Sequence, residues 1–208
     1  MKTEQDYIKD ITEIRSMMER STRFLSLTGW SGILAGVYAL IGAGTAYFVF
    51  YTDEVLVGYN TIGREETNNI LIPFFLLAAV VLILALSTAV LLSWRKAKKN
   101  KEILWNAAAR RLVINLMIPL LSGGVFAMLL YLKGYVLLIA PITLIFYGLA
   151  LLNASKFTFE EVRYFGVIEI VLGLLATYFM GYGLLFWAVG FGVLHIVYGI
   201  YMHLKYER

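Results

Sequence analysis

Glu169 and His195 are the two acid–base side chains set well inside long apolar stretches of this 208-residue chain. A charge in hydrocarbon is costly, so a buried ionisable group there is a functional candidate by default. Glu169 lies thirteen residues before Tyr182 and His195 thirteen after it. If the chain turns at Tyr182, a helical rise of ~1.5 Å per residue brings both to the same depth, roughly 20 Å from the turn. Glu169 shares a stripe with Gly166, Gly173 and Ala176; His195 shares one with Ala188, Gly192 and Gly199. Small residues at helix-contact spacing let backbones approach, so both groups are expected to face protein, within roughly 2.6–3.2 Å of each other or bridged by one water. Two roles stay open. The pair titrates with protons or holds a polar or cationic ligand, or it is a buried hydrogen bond that fixes helix register.

Asn115 and Asn153 form a second pair, level with each other when the chain folds about Gly134. Capping or interhelical bonding is the expected role. Pro119, followed by Ser122-Gly123-Gly124, either kinks its helix or breaks it to line a cavity. Enzyme signatures are missing: there are two histidines, no Asp within an apolar stretch, no cysteine and no G-x-S-x-G elbow. No catalytic residue, metal ligand set or cofactor is expected. Glu160-Glu161 and Phe191-x-x-x-His195 resemble fragments of the CAAX-processing and bacteriocin-immunity membrane proteases. Arg163 follows the acidic pair too closely, however, and the further His motif is lacking, so that activity is not expected.

These residues sit in six apolar segments: 24–51, 70–94, 112–132, 135–152, 164–180 and 184–204. About 20 residues span a ~30 Å hydrocarbon core, so the expected fold is an all-α, six-helix polytopic membrane bundle. The composition agrees, at 60% hydrophobic with a mean hydropathy of +0.75. Sixteen of the eighteen Lys and Arg fall on one side of this six-helix path, leaving only Arg64 and Lys133 on the other. The positive-inside rule then puts both termini in the cytoplasm; the expected location is a bacterial inner (plasma) membrane. The net charge of +4 is mostly this orientation signal, and no nucleic-acid partner is expected. The basic 95–111 segment should rest against anionic headgroups of the bilayer, with its second half, 101–111, extending the third helix inward.

Residues 1–23 read as a cytoplasmic amphipathic helix continuous with the first span, and 24–208 as the membrane domain. Tyr7, Ile11, Ile14, Met18, Ser21 and Leu25 recur at helical spacing, and the count continues through Thr28, Gly32, Ala35, Ala39, Gly42 and Ala46. This helix-packing seam, with Gly36 beside it, packs within the bundle or joins a homodimer or cytoplasmic partner through the N-terminal helix. Short turns at Lys133-Gly134 and Gly181–Gly183 make helices three and four, and five and six, antiparallel neighbours. Internal repetition is also hinted. Gly42 matches Gly173, and Ile145-Phe146-Tyr147-Gly148-Leu149 echoes Ile196-Val197-Tyr198-Gly199-Ile200.

The segments Gly166-Val167-Ile168-Glu169-Ile170-Val171-Leu172-Gly173 and Phe191-Gly192-Val193-Leu194-His195-Ile196-Val197-Tyr198-Gly199 resemble hairpins of the HdeD-like acid-resistance membrane proteins. The resemblance covers about forty residues and implies a small, glycine-rich six-helix bundle with a stress-related role; it carries over no catalytic residue. The expected function is a non-enzymatic binding, sensing or stress-response module. The alternative is a proton-coupled transporter of a small solute using Glu169 and His195.

Overall fold

The computed structural model describes residues 8, 11, 12, 23–50, 64–101 and 103–207, and the side chains of most of them. Every regular element among the described residues is a helix, and there is no strand among them. Helix α1 spans Gly29–Phe50, α2 Arg64–Lys99 and α3 Ala107–Leu132. A short 3-10 turn, Val136–Leu138, leads into α4, Ile139–Ala154; a second, Ser155–Phe157, precedes α5, Glu161–Tyr178. The last helix, α6, spans Gly183–Tyr206 and contains a π turn at Ala188–Leu194. Five of these are long and apolar enough to cross a membrane. The exception is α5, 18 residues long, which carries Glu161, Arg163 and Glu169.

Two caps correct the expected helix boundaries. Residues 23–28 are not helical, so α1 is not continuous with the segment before it. Thr28 ends that continuity: its Oγ1 accepts the Ser31 N–H at 3.2 Å, and its carbonyl accepts the Ser31 hydroxyl at 2.6 Å. That is the pairing an N-cap makes with a helix's first turn. The chain before it is tied to the α4–α5 connection instead, because Phe24 N–H donates to the Phe157 carbonyl at 2.7 Å and Thr158 Oγ1 donates to the Phe24 carbonyl at 2.8 Å. The amphipathic pattern of 1–22 lies mostly outside the described residues. Likewise, α3 starts at Ala107 rather than near Lys101, since Asn106 Oδ1 accepts the Ala109 N–H at 2.8 Å. By contrast, α2 begins at Arg64, before the apolar run.

The helices pack as α2 on α1, α1 on α6, α6 on α4 and α5, α4 on α5, and α3 on α4. Two of these interfaces are the same interface built twice. In α4–α5, a Cβ on Gly148 would meet the Gly166 carbonyl at 2.5 Å and Ile170 Cγ1 at 2.7 Å; in α6–α1, one on Gly199 would meet the Gly29 carbonyl at 2.6 Å and Ile33 Cγ1 at 2.9 Å. One turn pair further on, Gly173 faces Pro141 and Ile145 as Gly36 faces Gly192 and Ile196. The Tyr147-Gly148 and Tyr198-Gly199 echo is therefore structural. The partner of Gly173, however, is Gly36; Gly42 instead meets Val81 of α2, 2.6 Å from its would-be Cβ.

Candidate functional site

Three helices converge on a buried polar cluster. Helix α5 contributes Glu169, which is 0% exposed; α6 contributes His195, 8% exposed; α4 contributes Tyr147. Their approach depends on glycines. Gly148 and Gly166 bring α4 onto α5, while Gly190 in the π turn lets α6 close on both, with Leu144 Cδ2 2.5 Å and Glu169 Oε2 2.6 Å from where its Cβ would be.

Glu169 and His195 do face each other across α5 and α6, but not with the expected hydrogen bond. His195 Nδ1 lies 3.9 Å from Glu169 Oε1, and it pairs instead with the Gly190 carbonyl at 3.0 Å. A carbonyl oxygen only accepts, so Nδ1 carries a proton. In the neutral imidazole Nε2 is then the acceptor, and the Tyr147 hydroxyl donates to it at 2.8 Å. The π turn explains the diversion, because its wider winding sets the Gly190 carbonyl beneath a ring five residues later. Phe165 packs edge-on to the imidazole, with Phe191 stacked beside it at 5.8 Å and Trp187 4.9 Å beyond Phe191. Both Glu169 oxygens lack a hydrogen-bond partner among the described residues, as does the neighbouring Tyr198 hydroxyl. Enclosed and unpaired among the described residues, that carboxyl is costly, since stranding one costs about 1–3 kcal/mol even uncharged.

Asn115 and Asn153 are also brought together, through backbone rather than amide to amide. Asn153 Nδ2 donates to the Asn115 carbonyl at 3.0 Å, and Asn115 Nδ2 donates to the Arg111 carbonyl at 2.8 Å. Pro119 is the reason. It lacks the N–H that would take the Asn115 carbonyl four residues earlier, so that acceptor turns to α4. Helix α3 runs unbroken through Pro119.

The seam residues meet helices of the same chain. Would-be Cβ atoms on Gly32 and Gly36 lie 3.1 Å from Gly199 Cα and 2.5 Å from the Gly192 carbonyl, and Ala39 is buried.

A second polar cluster, which sequence reasoning missed, closes the end of the bundle where the described chain starts and stops. Glu207 Oε1 accepts from Lys96 Nζ and from the Gly29 N–H, both at 3.1 Å, while Oε2 pairs with His203 Nδ1 at 2.7 Å. Nearby, Glu161 Oε1 accepts from Lys205 Nζ and from the Tyr206 hydroxyl. Burial pushes the Glu161 carboxyl up, but the bonds from Lys205 and Tyr206 outweigh it and hold the group below the usual carboxylate range. Burial likewise raises Glu207, and His203, Lys96 and the Gly29 N–H more than reverse that. The His203–Glu207 pair is a local contact four residues apart, but Gly29 and Lys96 lie 178 and 111 residues from Glu207, beyond any local pattern.

No family model, curated protein or solved structure matches the chain.

Proposed function

We propose that the chain is a small, non-enzymatic protein of the bacterial inner membrane that senses proton load through Glu169 and His195. In this reading six helices cross the bilayer, and the basic end, with both termini, lies in the cytoplasm. The proposal rests on one observation: Glu169 is fully buried with neither oxygen hydrogen-bonded among the described residues, 3.9 Å from a histidine already committed to Gly190 and Tyr147. Unsatisfied buried polar groups are rare, and within a membrane they mark function. Changing the charge of either group alters the polar balance of the α4–α5–α6 junction, where Gly190 of the π turn packs directly against the carboxyl. Enclosure favours sensing over transport. Glu169 is fully buried, and neither the cleft lined by Arg23, Asn153 and Arg163 among others nor the one on α2 reaches it or His195. The acid-stress role that the HdeD-like resemblance implies fits the same reading.

Trp187 is a natural reporter, since it contacts Phe191 and Phe191 contacts the imidazole. With Trp30, Trp94 and Trp105 changed to Phe and the protein in liposomes, its emission should pass through one transition as the pH is lowered. Glu169→Gln should abolish that transition. A flat profile in the parent would overturn the sensor. Protein-dependent proton flux into dye-loaded liposomes, lost in Glu169→Gln, would replace the sensor with the proton-coupled transporter. Cysteines at Lys99 and Ser155 should resist an impermeant external label that reaches one at Thr61; labelling at 99 would reverse the orientation.

A further inference from the structure

We propose that the cleft at the basic end between α3, α4 and the start of α5 binds the headgroup and upper acyl chain of an anionic phospholipid. This rests on the membrane reading above but not on the Glu169 site. The cleft has a volume of about 880 Å³, within the size of small-ligand sites. Its chemistry is graded along the bundle axis. At the mouth stand Arg23, Lys156, Glu160 and Arg163; on the inner wall stand Pro119, Leu149 and Leu152. Arg23 and Glu160 pair at 3.3 Å and largely cancel. Lys156 and Arg163 remain, exposed and without an ion-pair partner among the described residues. The mouth is therefore doubly cationic.

Depth matches an amphiphile. Lys156 lies in the turn just past the end of α4, at headgroup level, and Leu149 lies seven residues earlier, about 10 Å deeper at ~1.5 Å per residue. Leu149 and Leu152 lie three apart on one face of α4, and Lys156 in the adjoining 3-10 turn lines the same cleft, so the cation stands above the apolar wall. Between them Ser155 and Asn153 also line the cleft, giving polar groups at the level of a glycerol ester. A soluble anion would use the mouth and leave the apolar wall wet; a neutral lipid would fill the wall and leave two cations unanswered. A phospholipid with a net negative headgroup satisfies both parts.

Tyr164 lines the cleft and is 70% exposed, so Tyr164→Trp in a background with the other tryptophans changed to Phe reports occupancy. Reconstituted into phosphatidylcholine, this protein should be quenched by brominated phosphatidylglycerol in preference to brominated phosphatidylcholine, by about five- to twentyfold in relative affinity. Lys156→Gln with Arg163→Gln should bring the ratio close to one, with unchanged helical circular dichroism. Lys98→Gln with Lys99→Gln, basic residues outside the cleft, should leave it unaltered. Equal quenching by both lipids in the parent would overturn the site. So would an equal loss in the Lys98/Lys99 variant, which would reduce the preference to general surface charge, or full displacement by soluble glycerol phosphate. A protein that fails to insert into liposomes would overturn the membrane reading and the site with it.

Discussion

The Gly190 carbonyl takes the Nδ1–H of His195 at 3.0 Å, and this bond keeps the imidazole from Glu169, whose Oε1 stays 3.9 Å away. The same glycine touches the carboxyl from the other side, because a Cβ on it would sit 2.6 Å from Glu169 Oε2 and 2.5 Å from the fully buried Leu144. Gly190 is thus the spacer of the site. Gly190→Ala should destabilise the bundle by about 1–3 kcal/mol, the range for overpacking a tight core. Gly124→Ala in α3, where a Cβ meets nothing within 4 Å, should be neutral or stabilise by roughly 0.5–1 kcal/mol. Equilibrium unfolding in mixed micelles measures both; a tolerated Gly190→Ala would remove the spacer role.

Tyr147 and His195 should be coupled more strongly than Glu169 and His195. Tyr147→Phe removes the donor to Nε2 and strands a buried acceptor, at about 1–3 kcal/mol. Adding His195→Phe removes the stranded group, so the double variant should fall well short of the sum. Glu169→Leu removes a carboxyl that bonds to nothing among the described residues, and should be neutral or stabilising. A double-mutant cycle for each pair decides the order. A larger coupling for Glu169 with His195 would contradict the geometry.

How far this site could be read from the residues depends on which relations are local. The spans and the turn about Tyr182 follow from apolar length, and equal helical rise on either side brings Glu169 and His195 to one depth. A π turn leaves no such trace. It adds one residue to a turn within an ordinary apolar run, Ala188–Leu194, and only the folded backbone shows that Gly190 intercepts the imidazole. Tyr147 was hidden differently. Its repeat with Tyr198 is visible, but which helix stands opposite His195 is a tertiary choice. Thr28 reads equally well as a small seam residue or a cap, and the backbone pairing of Phe24 with Phe157 and Thr158 decides for the cap.

The second polar cluster should make the fold less stable in acid. Glu161 and Glu207 are held below their ordinary range in the folded chain. A depressed carboxylate contributes stability that is present above its unfolded value, about 4.3, and is lost as pH falls through the folded one. The unfolding temperature should therefore drop on the acid side. Glu207→Gln should lower it at neutral pH, with the two curves converging as the solution is acidified. Parallel curves across that window would mean that Glu207 adds no proton-linked stability.

The duplicated interface makes a prediction about glycines on different helices. A Cβ on Gly36 would lie 2.5 Å from the Gly192 carbonyl and 2.7 Å from Ile196 Cγ1; one on Gly173 would lie 2.9 Å from the Pro141 carbonyl and 2.6 Å from Ile145 Cγ1. In each case backbone stands in the way, so the helices must separate rather than a side chain turn aside. Gly36→Ala and Gly173→Ala should each destabilise by about 1–3 kcal/mol, and by similar amounts. Gly44→Ala, on α1 but with nothing within 4 Å, should not. Because Gly32 and Gly36 are spent on α6 of the same chain, Gly36→Ala should loosen the monomer itself, seen as faster hydrogen exchange in α1 and α6. A Gly36→Ala protein with unchanged monomer stability but an altered oligomeric state would show that this face packs between chains instead.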